Sequence, residues 1–133
     1  MTVSVTEELA RFISGFEAKE VFPQAISVSK AAVLDTIGVA LAGSQEPVSK
    51  IVRGYVQSTP SVEEATLWGT PSRVSSLDAA LVNGAMSHAL DYDDNSRPCL
   101  GHPSSVLVPA LFAVAEKTQS SGTTVVENLC VGG

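Results

Sequence analysis

Apolar residues in this chain recur at helical intervals, and turn-forming residues divide them into successive segments. Ser4-Val5-Thr6-Glu7 has the S-x-x-E form of a capping box, and Leu9, Phe12, Ile13 and Phe16 follow on one face, predicting a short amphipathic helix. Pro23 suits the first turn of a second helix and Gly43 its end. Between them Ile26, Val33, Leu34, Ile37 and Leu41 form a stripe. Ala31, Ala32, Val39, Ala40 and Ala42 leave almost no polar face after Lys30, so this helix is expected to be buried on most sides, with Asp35 satisfied inside the core.

Pro47 opens a third helix with Val48, Ile51, Val52, Tyr55 and Val56 on one face, and Ser58-Thr59-Pro60-Ser61 ends it. Ala65 to Trp68 reads as a brief extended piece with Trp68 as a packing residue, and Gly69-Thr70-Pro71-Ser72 as a loop. Ser75 or Ser76 caps a fourth helix through Leu77, Ala80, Leu81, Gly84, Ala85, Ala89 and Leu90, whose small residues imply close contact with a neighbouring helix. Ser104 or Ser105 caps a fifth through Val106, Leu107, Leu111, Phe112, Val114 and Ala115, with Pro109 expected to kink it or delay its start. Ser120-Ser121-Gly122 closes that helix, and residues 123–133 read as a weak last segment. The pattern predicts an all-α fold in one domain over residues 1–133.

Composition narrows the function classes. At 133 residues and 44% hydrophobic content the chain can build a core. Eight basic against fourteen acidic residues give a formal charge of −6, and no Lys/Arg cluster is present to track a phosphate backbone, so no nucleic-acid partner is expected. Cys99 and Cys130 have no CxxC spacing and are expected to be reduced thiols, Cys99 a bystander in its loop. The start of the chain has neither the basic and apolar regions of a secretory signal nor, with Glu7 and Glu8, the charge of a mitochondrial presequence. The most apolar window, residues 31–43, is too short to span a bilayer and contains Asp35. The expectation is a cytoplasmic protein with no membrane partner, mitochondrial placement remaining compatible.

Candidate chemistry is concentrated between residues 83 and 109, in NGAMSHALDYDDNSRPCLGHPSSVLVP, which holds both histidines. His88 and Asp91, three apart, would share a face at a helix end, and Asp91, Asp93 and Asp94 crowd three carboxylates, which should raise the pKa of at least one toward general acid or base duty. His102 precedes Pro103-Ser104 and so lies at a helix N-terminus, where free N–H groups favour an anion. Arg97 is the loop's only cation and suits a carboxylate. Beside each reading stands a plainer one: Asp91 and Asp94 as turn or cap residues, His88 as a hydrogen-bonded structural histidine. Residues 91–102 do not make a calcium loop, because Ser96 and His102 stand where Gly and Glu would be needed. His88, His102 and an aspartate have no recognised zinc spacing, so no metal is expected.

The stretch VLDTIGVALAGS at residues 33–44, followed by NGAMSHALDYDDN and GHPSSVLVPALFAVAE, resembles the N-terminal helical domain of the MmgE/PrpD family from about Thr6 to Gly122. That family includes 2-methylcitrate dehydratase, cis-aconitate decarboxylase and an iminodisuccinate epimerase. The resemblance implies cofactor-independent acid–base chemistry on small di- and tricarboxylates, in a cleft between a large helical domain and a smaller lid, commonly in a homodimer. By motif matching it implies Asp91 and His102 as catalytic groups. It implies a substrate-holding place for Asn95, where several relatives have Thr, and a supporting one for Asp94. Arg97 is outside the motif and is a weaker candidate for binding substrate.

Relatives are several times longer, and their substrate-neutralising lysines and another histidine come from regions absent here. The chain is therefore expected to be a partial domain without the lid, the tail at residues 130–133 marking a truncation or an altered reading of a longer gene. Two functions from different classes follow: the N-terminal part of a dehydratase- or decarboxylase-type lyase, with little turnover alone, or a non-catalytic helical module that binds a partner or a full-length relative. The apolar second helix also leads to an expectation of self-association or poor solubility.

Overall fold

The computed structural model describes residues 4–16, 21–98 and 100–132, so Cys99 lies outside the described residues. Along the chain come α1 (Val5–Gly15), α2 (Pro23–Gly43), α3 (Pro47–Gln57), β1 (Ala65–Thr66), β2 (Arg73–Val74), α4 (Ser76–His88), α5 (Pro103–Thr118) and α6 (Gly122–Gly132). The fold is helical as the periodicity predicts, with a small hairpin added.

Helix starts follow local chemistry. Ser4 Oγ accepts the Glu7 N–H at 3.2 Å, while the Glu7 carboxylate turns forward to Arg11 at 2.6 Å, so the capping box is half formed. Pro23 and Pro47 occupy the first turns of α2 and α3. Ser75 Oγ accepts the Asp78 N–H at 3.1 Å and caps α4.

α5 differs from expectation. It starts at Pro103, which makes His102 the N-cap residue and puts Ser104 and Ser105 inside the first turn. Pro109 neither ends the helix nor delays it. Its missing N–H leaves the Ser105 carbonyl out of the helical ladder, and that oxygen would lie 3.2 Å from a Cβ on Gly84 of α4. The weak last segment is also a helix. Ser121 Oγ accepts the Thr124 N–H at 3.1 Å, Val125 and Leu129 are buried, and Cys130 Sγ lies 3.0 Å from Ser29 Oγ of α2.

The core forms around α4, which packs against α2, α3 and α5. Ala40, Val56, Leu67, Ala79, Val82, Met86 and Ala113 meet there, with Trp68 edge-on to Phe112 at 5.8 Å. β1 and β2 pair antiparallel, Ala65 with Val74 and Thr66 with Arg73, turning through Gly69 at φ +75°. Buried Asn83 fastens this hairpin to α4, accepting the Trp68 N–H and donating to the Thr66 carbonyl, both at 3.0 Å. Glu116 of α5 accepts from the Thr66 N–H at 3.1 Å and pairs with Arg73 at 2.8 Å.

α2 corrects the expectation of burial on most sides. Its buried residues are Ser29, Thr36, Ala40 and Gly43, whereas Val28, Leu34, Leu41 and Asp35 are exposed. The small face is the buried one because it lets α4 come close, and a Cβ on Gly43 would overlap the Met86 carbonyl oxygen. The apolar window judged too short for a bilayer belongs to a 21-residue helix that is, by length and composition, long and apolar enough to cross one.

Candidate active site

The polar loop is shaped by three local features. α4 stops at His88, the Asp91 N–H donates to the His88 carbonyl at 3.0 Å, and Asp91 adopts a left-handed φ of 54°, which turns the chain away from the helix axis. Further on, Ser96 and Gly101 form an antiparallel bridge, with N–H to O distances of 2.9 and 3.4 Å, that pinches off the loop tip and brings the chain back to His102. Asp94 then ties the loop to α5, its two oxygens accepting the Ser104 N–H at 3.0 Å and the Ser104 hydroxyl at 2.7 Å.

This closure sets His88 and His102 ring against ring, centroids 4.7 Å apart and planes tilted by 60°. Asp93 lies between them. Its side chain is 1% exposed, and its oxygens lie 3.0 and 3.1 Å from His88 Nδ1. His102 Nδ1 lies 3.4 Å from Asp93 Oδ2, while its Nε2 lies 3.8 Å from Asp91 Oδ1. Asp91, by contrast, is 78% exposed.

Burial raises the Asp93 pKa, but the neighbouring Ser105 hydroxyl and the His88 ring lower it by more, so the carboxyl is held below its ordinary value. At Asp93 the shift therefore runs opposite to the upward one expected from crowded carboxylates, and the upward push it does feel comes from burial. An ionised carboxylate only accepts, so His88 Nδ1 carries the proton in that contact.

Of the residues predicted for the site, the fold brings Asp91 and His102 together. Asp94 caps α5, which means the helix end that was expected to attract an external anion already has one, and Pro103 offers it no N–H. Asn95 and Arg97 are exposed, Arg97 on the tip beyond the bridge. His88 does not share a helix face with Asp91. The positive φ at Asp91 breaks that register, and His88 pairs with Asp93, fulfilling the expectation of a structural hydrogen bond. Asp93 itself was missed as a site residue. Its signal was the H-x-x-D-x-D spacing, which is ambiguous until the turn at Asp91 is known.

His88, Asp91, Asp93 and His102 are also the group among the described residues that could hold a metal ion, their ligand atoms lying within 4.8 Å of one another. Tetrahedral zinc with bonds near 2.0 Å would draw such atoms to roughly 3.3 Å apart, so the group would have to contract. A separate cleft of about 450 Å³ opens between α2, α5 and α6, lined in part by Ser29, Asp94, Ser96 and Ser104, and His88, Asp91, Asp93 and His102 take no part in its lining.

A loop that returns His102 beside an aspartate pair is the structural form of the sequence motif, and the match extends well beyond the loop. The model of the MmgE/PrpD N-terminal domain matches residues 7–133. The chain belongs to the MmgE/PrpD family. Human cis-aconitate decarboxylase is 36% identical over 117 residues, covering 87% of this chain and 24% of the human protein. The mouse cis-aconitate decarboxylase matches with the same identity and coverage. That of Aspergillus terreus is 28% identical over 124 residues, covering 91% of this chain and 25% of its own length. The chain thus spans about a quarter of the MmgE/PrpD relatives it matches.

Proposed function

We propose that this chain supplies the His102 and Asp91 part of an active site for cofactor-independent lyase chemistry, dehydration or decarboxylation, on citrate-like di- or tricarboxylates. The observation that carries this reading is the placement of His102 at the N-cap of α5, with Nε2 toward Asp91 and Nδ1 toward buried Asp93. Either reaction needs a group that removes a proton next to a carboxylate or returns one to the carbanion formed there, and an imidazole near its own pKa does both. Asp91, exposed on the same side as Nε2, orients a substrate hydroxyl or the imidazolium that forms. Asn95 and Asp94 flank the same loop.

Charge sets the limit of what this chain does alone. Three loop carboxylates and a formal charge of −6 repel a polyanionic substrate, and Arg97 is the loop's only cation. The groups that neutralise substrate carboxylates therefore belong to further polypeptide, either the remainder of a longer chain or a second copy, in the cytoplasm. A second reading, a non-catalytic helical module that docks on a partner, is favoured by the exposed apolar side chains Val28, Leu34, Ile51 and Tyr55 on α2 and α3.

The test has two arms. The 133-residue chain incubated with 2-methylcitrate, citrate and cis-aconitate should show little or no turnover by NMR, and robust turnover would overturn the claim that it lacks the substrate cations. Replacing the matched quarter of human cis-aconitate decarboxylase with residues 7–133 should give a chimera that decarboxylates cis-aconitate and loses that activity on His102→Ala. A folded but silent chimera would favour the docking module.

A further inference from the structure

We propose that Asp93 is a positioning residue for His102: its buried carboxylate, held in place by His88, takes the N–H of His102 Nδ1 and leaves Nε2, on the Asp91 side, free to exchange a proton with substrate. The proposal rests on the role assigned to His102 above and adds the device that gives that histidine its working tautomer.

Burial supplies the first argument. His102 Nδ1 is sealed from solvent and has no hydrogen-bond partner among the described residues. A buried N–H left unpaired is costly, so a partner within reach will be used. Asp93 Oδ2, at 3.4 Å, is such an acceptor, and an N–H···O bond requires the His102 ring to turn its N–H onto that oxygen and the pair to close by a few tenths of an ångström. Catalytic hydrogen bonds are commonly longer before substrate binds and tighten afterwards.

The second argument is that neither Asp93 nor His102 is free to turn away. His88 Nδ1 spans both Asp93 oxygens at 3.0 and 3.1 Å, and its ring packs against that of His102. Pro103 fixes the φ that follows His102, so the histidine's backbone is also held. With Nδ1–H committed to Asp93, a neutral His102 must have its lone pair on Nε2. Asp91, mostly exposed and 3.8 Å from Nε2, is on the substrate side and does not set the tautomer.

The chain has two histidines, so ring ¹⁵N NMR on the intact chain resolves both, and His88→Gln leaves the signals of His102 alone. At a pH high enough to deprotonate the imidazolium, wild type and His88→Gln, whose amide NH₂ can still donate to Asp93, should both show His102 with a protonated Nδ1 and an unprotonated Nε2. Asp93→Asn, which puts an amide NH₂ where an oxygen accepted, should move the proton of His102 to Nε2. A His102 already protonated at Nε2 in wild type, or a tautomer unchanged by Asp93→Asn, would overturn the proposal. If Asp93→Asn does not fold, the wild-type and His88→Gln spectra still decide it. These spectra need no substrate. An Nδ1–H form together with an inactive chimera sinks the lyase reading and keeps Asp93 as the positioning residue, whereas an active chimera with an Nε2–H form does the reverse.

Discussion

Two glycines of α2 should respond in opposite directions to the same substitution. Gly38 lies inside the helix with no atom within 4 Å of where a Cβ would stand, while a Cβ on Gly43 would overlap the Met86 carbonyl and lie 3.2 Å from the Ala89 Cβ. Gly38→Ala gains helix propensity at no steric cost, an expected stabilisation of about 0.5–1 kcal/mol. At Gly43 the gain is smaller, because it is the last helical residue, and the clash is with backbone that cannot rotate aside. Overpacking of this kind costs about 1–3 kcal/mol, so Gly43→Ala should destabilise by about 1–2.5 kcal/mol. The two variants should therefore differ by roughly 1.5–3.5 kcal/mol in urea unfolding at unchanged m-value. Because the clash pushes on the last turns of α4, which end at His88, Gly43→Ala should also shift the His88 ring resonances while Gly38→Ala leaves them in place. Equal stabilities for the two variants would refute the close α2–α4 contact on which the placement of the site depends.

Asn83→Ala removes the partner of both the Trp68 N–H and the Thr66 carbonyl, and should cost roughly 2–4 kcal/mol by denaturant titration, with faster hydrogen exchange at the Trp68 amide. An effect below about 0.5 kcal/mol would mean that the hairpin is not held by Asn83. Because the Asp93 carboxyl is held below its ordinary value when folded, it stabilises the fold above the unfolded pKa of about 3.9, and that share is lost as pH falls through the lower folded value. Asp93→Asn should accordingly flatten the fall of the urea midpoint below about pH 4, and parallel curves for the two proteins would count against it. Chelation with EDTA should leave the melting temperature unchanged, since the Asp93 oxygens already have imidazole partners. A drop of several degrees would make His88, Asp91, Asp93 and His102 a metal centre.

The sequence by itself determined the helices, because what starts and stops them is local. A proline in the first turn, a serine hydroxyl one residue ahead of a helix and a glycine at its end act within a few residues, and α1 to α4 fall where those signals put them. The resemblance to the MmgE/PrpD motifs also paired Asp91 with His102, and the fold sets Nε2 of the histidine 3.8 Å from the aspartate. Local reasoning failed where two segments must meet. Ala65 to Trp68 reads as extended from its own residues, but the pairing of Ala65 and Thr66 with Val74 and Arg73 is a contact across a turn, and the helix of residues 122–132 gains its buried side from α2 and α5 rather than from its own weak pattern.

Only tertiary structure decided which face of α2 is buried. Hydropathy ranks Leu34 and Leu41 as the natural core, but close approach of two helices selects the smallest side chains, so Ala40 and Gly43 face α4 and the leucines remain outside. The same holds at the site. Asp91, Asp93 and Asp94 are near neighbours of one chemical type, yet one is exposed beside Nε2, one is buried between two imidazoles and one caps a helix. What separates their roles is a left-handed residue and a two-residue bridge that reverse the chain, and nothing in the spacing of the carboxylates alone specifies which of the three each turn sends inward.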